Sequence, residues 1–259
     1  MNFHLPDHTF KIDEYITHHL ADAHVWNLPF LPAIQLPKYL SLHGVMVLLC
    51  AVFLVILFCI LYKKDQKVPT GINTVLEIFV EFIRDQIAVQ AMGKKDGIKL
   101  TPFLCTIFFF ILGLNLMGVV PLFSTATANI NVTGALACII LFMLTVWIIW
   151  KNGITGFLKA FVPSGVPAPI LLLIVPLEFL GIFIKCFALM IRLFANMLAG
   201  HMVIYSLLGL VVMVGWLALP AVFLAVAISA LVVFVAFLQA YIFTILSAVF
   251  IGQMLHPEH

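Results

Sequence analysis

Long apolar runs separated by short polar breaks organise the chain after residue 42. The first, "HGVMVLLCAVFLVILFCILY", is apolar on every helical face and is stopped by "KKDQK". An α-helix rises about 1.5 Å per residue, so about 20 such residues cross a ~30 Å hydrocarbon core. Residues 43–62 are therefore predicted to span a membrane. The next segment, "GINTVLEIFVEFIRDQIAVQAM", has apolar residues at helical spacing with Glu77, Glu81, Arg84 and Asp85 opposite them. That pattern predicts an amphipathic helix over about 71–92, lying along the membrane surface. Two further spans follow, over about 101–121 and 132–150, joined by the polar "STATANIN". The break after them, "KNGITGFLKAFVPSGVPAP", is full of helix enders. Two longer runs close the chain, about 169–208 and 217–250. Each reaches roughly 35–40 residues where about 20 suffice for a perpendicular crossing. Either each bends, or the two form a long hairpin tilted in the bilayer, with Gly209, Gly215 and Pro220 marking the turn. The fold class is an all-α polytopic membrane protein: about five membrane helices, one surface helix, and the last two spans as the tilted hairpin.

Residues 1–42 read as an extramembrane segment, with a short helical stretch "DEYITHHLADAH" and a proline-broken "LPFLPAIQLP". Residues 43–259 form the membrane domain. Composition agrees: 64% of residues are hydrophobic and 9% charged, against about half and a quarter in soluble domains. Mean hydropathy is +1.21. A net charge of +2 gives no electrostatic footprint for nucleic acid. The first residues lack the basic flank and apolar core of an export signal, so the first apolar run is expected to insert and stay. The five cysteines, Cys50, Cys59, Cys105, Cys138 and Cys186, all sit in apolar runs without disulfide or metal-ligand spacing and read as small hydrophobes. His18, His19 and His24 with Asp22 fit no metal motif and read as a solvated terminal segment. Neither a metal nor another cofactor is expected. Basic residues set the orientation. Lys63, Lys64, Lys67, Arg84, Lys94, Lys95 and Lys99 lie between the first two spans, and Lys151 and Lys159 follow the third. The N-terminus is then outside and the C-terminus cytoplasmic, in a bacterial plasma membrane.

Candidate chemistry concentrates in "KCFALMIRLFANMLAGH", Lys185 to His201. Far from any predicted interface lie only two basic residues, Lys185 and Arg192, and one acid, Glu178. They are spaced by seven and seven. Seven steps of about 100° return to within ~20° of the starting direction, so the three share one helix face. Asn196 continues it one turn further, whereas His201 points to the opposite side. Glu178 and Lys185 can be read as an internal pair, and His201 as a packing residue. Arg192 resists such a reading. A charge at bilayer depth costs about 2.5–3.5 kcal/mol on insertion scales, and such residues usually mark ion pathways. A guanidinium keeps its proton at physiological pH, so it relays none. It supplies a fixed positive field that attracts a partner's carboxylate, favours its charged form and repels a hydrated proton slipping past.

"RLFANMLAGH" with "LQAYIFTILSAVFIGQML" in the last run closely resembles the subunit a family of F-type ATP synthases. "FFFILGLNLMGVVPLFSTATANINVTGALA" also resembles that family's second and third spans, and "HPEH" is a weaker likeness. The resemblance runs from about residue 70 to the end. It implies a tilted hairpin packed against a ring of c subunits, with two offset half-channels carrying H+ to and from the ring carboxylates. It also implies a stalk subunit b and the other synthase subunits as partners. Carried over, Arg192 faces the ring carboxylate, with Gln239 its neighbour on the last helix and Asn196 beside it. Glu178 and His201 align with polar half-channel positions, and Lys185 with a basic one. Two departures stand out. Where many relatives carry an ionisable residue seven before the glutamine, this chain has Val232. Where the family has an acid in the link after the second span, it has Asn129, beside the matching Asn131. These leave His201 to act with Glu178 or with water alone. A histidine suits proton relay, since its unperturbed pKa lies near 6.5.

The rival reading is an ion-coupled secondary transporter, which would show internal repeats or matching broken spans; the charged stripe occurs once. No phosphate-binding glycine loop is present, so the chain is expected to carry protons for a catalytic complex and to hold no catalytic site of its own.

Overall fold

A computed structural model describes residues 25–26, 34–35, 37, 41–61, 71–120, 123–159, 161, 168–214 and 219–255. The N-terminal histidines, Gly215 and "HPEH" lie outside these. Ahead of the first span, β1 (Val25–Trp26) and β2 (Ile34–Gln35) pair antiparallel, with Val25 opposite Gln35. The hydrophobic pattern predicted no strand there. Val25, Trp26 and Ile34 are β-branched or aromatic, residue types that fit a strand.

The rest is helical. α1 (Leu42–Ile56) starts at Ser41, whose hydroxyl accepts from the Gly44 amide at 3.2 Å, an N-cap bond. It continues into a π-type stretch, Leu57–Leu61. α2 (Ile72–Phe82) passes through a second π-type stretch, Ile83–Ala88, into α3 (Val89–Val119). The rod is broken at Gly93, where φ is 77°, a region that glycine enters without steric cost. A 3-10 turn, Ala126–Ala128, leads to α4 (Ile130–Lys159), which breaks at Gly153 with φ 71°. α5 (Ala168–Val214) and α6 (Leu219–Leu255) follow. At 1.5 Å per residue their 47 and 37 residues extend about 70 and 55 Å. Gly209, expected in the turn, is instead a buried residue inside α5. One glycine costs a helix only about 1 kcal/mol relative to alanine, which packing along so long a helix readily offsets.

Five helical segments are long and apolar enough to cross a membrane among the described residues, and the chain is a multi-pass membrane protein. α6 packs most extensively along α3. Phe108 meets Phe109 and Phe237 edge to face, and Phe79 joins them, geometry in which ring edges point at π faces. At the end of α6 the backbones nearly touch: a Cβ at Gly252 would lie 2.1 Å from the Ala91 carbonyl oxygen. α1 lies on α3 through Met46, Cys50 and Leu114.

Polar contacts fall at two opposite ends of the bundle. At one, buried Asp96 on α3 pairs with Lys151 on α4. At the other, the start of α1, the 3-10 turn and the middle of α5 come together.

Candidate functional site

The face of α5 that packs inward is set by Ile182, Cys186, Leu189, Leu193 and Met197, buried residues three or four apart. Arg192 falls outside that stripe and is exposed. Among the described residues the ion pairs are those of Arg84 with Glu81 and Asp85, and of Lys151 with Asp96. Arg192 takes part in none of them and has no hydrogen bond there. A permanent cation is thus presented outward, mid-helix, from a surface otherwise formed by residues such as Ile184, Phe187 and Ile191. Such a group can hold a carboxylate brought to it by another chain.

Glu178 is also exposed, about 21 Å along the axis from Arg192. Lys185 does not form the internal pair with it that the spacing allowed. Its Nζ donates to Gln253 Oε1 of α6 at 3.1 Å and lies 5.4 Å from the Phe250 ring centre. Two turns of helix are too long a reach for a direct Glu178–Lys185 bond, and α6 offers a nearer acceptor.

His201 lies on the opposite face, only 4% exposed. Its Nε2 is 3.2 Å from Thr125 Oγ1, and its ring stacks obliquely near Tyr205 at 5.8 Å. Glu178, twenty-three residues earlier, is about 34 Å away along the axis. Of the two alternatives expected for His201, Glu178 or water alone, the first is not brought to it: the two residues lie far apart along α5. Val232 is buried, and a Cβ at Gly200 would lie 3.1 Å from its Cγ2. This contact and the Lys185–Gln253 bond fix the antiparallel register of α5 and α6. Counting between them, Gln239 falls level with Asn196, one turn from Arg192. Gln239 is 5% exposed, and its Nε2 has no partner among the described residues.

Several polar residues that the sequence reading did not single out join this site. Asn115 is buried in α3 and donates from Nδ2 to the Ala236 carbonyl at 3.4 Å, one turn before Gln239 on α6. Its Oδ1 has no partner among the described residues. Thr125 Oγ1 also reaches the Gly118 carbonyl at 3.5 Å. His43, at the start of α1, is 1% exposed and contacts Ser124 and Asn129. The available signals were an asparagine inside "ILGLNLMG" and a histidine at a span's edge, and only tertiary contacts give them meaning. Among the described residues no group of three His, Cys, Asp or Glu could hold a metal ion.

What emerges is an outward-facing arginine flanked by buried polar groups that approach it from one end, with Lys185, Gln253 and Glu178 toward the other. A model of the family described as "ATP synthase A chain" matches residues 44–252. A protein of Anaeromyxobacter dehalogenans strain 2CP-C named "ATP synthase subunit a" is 47% identical over 215 residues, 81% of this chain and 56% of the relative. The protein of that name from Chloroherpeton thalassium is 43% identical over 258 residues, 93% of this chain and 77% of its own. The one from Hyphomonas neptunium is 36% identical over 260 residues, covering 98% and 96%. The chain thus spans little more than half the length of the Anaeromyxobacter relative.

Proposed function

The chain belongs to the ATP synthase A chain family, and from that premise we propose that it is the stationary proton-channel subunit of an F-type ATP synthase. In this role it passes H+ to and from the carboxylates of a rotating c-ring and so couples proton flow to rotation. Arg192 carries the reading. It is an exposed cation in the middle of an apolar helix, without a hydrogen bond or ion pair among the described residues, and a charge so placed calls for an anionic partner.

The mechanism follows from fixed charge. A ring carboxylate arriving at Arg192 is favoured in its ionised form, so its proton must leave first. Having passed the guanidinium, the carboxylate enters apolar surroundings, where the neutral form is favoured and a proton from the other half-channel is taken up. His201 and the hydroxyls beside it serve the outer half-channel. Glu178 and Lys185 serve the inner one. Asn196 and Gln239 border the arginine and hold the water or carboxylate that meets it. Each proton crossing 100 mV supplies about 2.3 kcal/mol, so several are collected per ATP. The N-terminus is outside and the C-terminus cytoplasmic in a bacterial plasma membrane, with the charged face of Glu77 and Glu81 on α2 and Arg84 just after it available to a stalk subunit. The nucleotide chemistry belongs to other subunits.

Disulfide trapping in the assembled complex tests the docking. With native cysteines replaced by serine, Ala188→Cys and Ala195→Cys, both on exposed positions of α5, are expected to cross-link to cysteines introduced beside the ring carboxylate. Cross-links formed only from residues of the buried face, or none in an intact complex, would overturn the reading.

A further inference from the structure

His43 is the first residue of the first membrane span by sequence pattern, yet it is 1% exposed. Its two ring nitrogens are occupied from different sides. Ser124 Oγ lies 3.2 Å from Nε2 and Asn129 Nδ2 lies 3.3 Å from Nδ1. The orientation of the Asn129 amide is fixed by its other end, because Oδ1 accepts the Asn131 backbone amide at 2.9 Å. A backbone N–H only donates, so the carboxamide nitrogen must face the imidazole. Nδ1 of neutral His43 therefore accepts, and Nε2 carries the proton and points it at Ser124 Oγ.

The next residue in the chain, Thr125, is 2% exposed and sits 3.2 Å from His201 Nε2. Two buried imidazoles, on α1 and α5, thus meet the hydroxyls of two successive residues just ahead of the 3-10 turn. The same turn holds Thr127, fully buried with a hydroxyl that has no partner among the described residues. Buried hydroxyls are normally satisfied by protein or by ordered water, so this turn is a place where water is expected inside the protein.

We propose that His43 is a second proton-relay residue of the outer half-channel, loading protons and handing them through Ser124 and Thr125 to His201. The inference rests on the function proposed above and adds to it a residue on a helix outside the α5–α6 hairpin. In the step, Asn129 releases Nδ1, which takes a proton from external water. The imidazolium then gives its Nε2 proton to Ser124 Oγ as the Ser124 hydroxyl passes its own proton on. One water between the Ser124 and Thr125 hydroxyls completes the path, and Thr125 donates to His201 Nε2 as it receives. His43 is left protonated at Nδ1, and a reorientation of the ring that turns this N–H toward Ser124 readies it for the next proton with the roles of the two nitrogens exchanged. No net charge remains on either hydroxyl.

The test uses inverted membrane vesicles carrying the whole complex, with ATP-driven acidification read by a fluorescent dye and assembly read by the co-purified ring. His43→Gln keeps a hydrogen-bonding side chain of similar size but does not titrate. It is expected to assemble normally and lower the pumping rate by about a hundredfold, the low end of what a positioned proton-transfer group contributes. Ser124→Ala lowers it in the same direction. His43→Ala is expected to be slow and to regain rate when imidazole is added, which a packing role would not produce. Wild-type pumping by His43→Gln, or a slow His43→Ala that imidazole does not accelerate, would overturn the proposal. Arg192→Ala is run alongside. If it pumps normally, the function proposed above fails; if it is inactive while His43→Gln is normal, only the role of His43 fails.

Discussion

At bilayer depth an arginine without a partner is unfavourable by about 2.5–3.5 kcal/mol on insertion scales, and α5 nevertheless displays Arg192 outward. Gln239 repeats the theme in neutral form. A buried donor left unmade costs about 1–3 kcal/mol, and Gln239 Nε2 is such a donor among the described residues. Stability alone would favour an apolar side chain there. Gln239→Leu is therefore expected to leave the thermal midpoint of the purified complex unchanged or raise it, while lowering ATP-driven pumping several-fold. A lowered midpoint with unaltered pumping would instead make Gln239 a structural residue. Arg192 itself was legible in the sequence, because a permanent cation among apolar neighbours needs no tertiary information to stand out. His43 and Asn115 were not. Their contacts reach Ser124 and Ala236, 81 and 121 residues away in the chain, and no local pattern encodes such distances.

The helices themselves follow from unbroken apolar length, and the breaks at Gly93 and Gly153 follow from positive φ. Sequence misleads at Gly209, where a glycine suggests a turn, and at Lys185, where seven-residue spacing suggests Glu178 but α6 supplies Gln253. Both depend on which neighbour lies across the helix interface, which periodicity does not reveal. The tightest interface is that of α6 with the start of α3. At Gly252 a Cβ would meet backbone rather than a side chain that can rotate away. Gly252→Leu is thus expected to force the two helices apart, reducing the amount of chain recovered in assembled complex by an order of magnitude. Ala135→Leu is the control, since Ala135 is exposed on α4, away from both this contact and the Arg192 face. Equal recovery of both variants would contradict the close approach.

Taken whole, the molecule separates its polar groups along the α5–α6 hairpin. His43, Ser124, Thr125 and His201 gather at one end. Lys185 and Gln253 meet toward the other, with Glu178 further along α5. About 34 Å of helix lies between Glu178 and His201, and Arg192 lies between them. No continuous polar path needs to cross the protein if the last stretch is carried by a moving carboxylate, and a positive charge at the midpoint opposes direct passage of a proton.

The most direct test is proton transport by membranes carrying the assembled complex with Arg192→Ala, driven first by ATP and then, with catalysis blocked, by an imposed potential. The account predicts that ATP-driven pumping disappears while passive conductance through the complex remains or rises. Sustained ATP-driven pumping by this variant would contradict it.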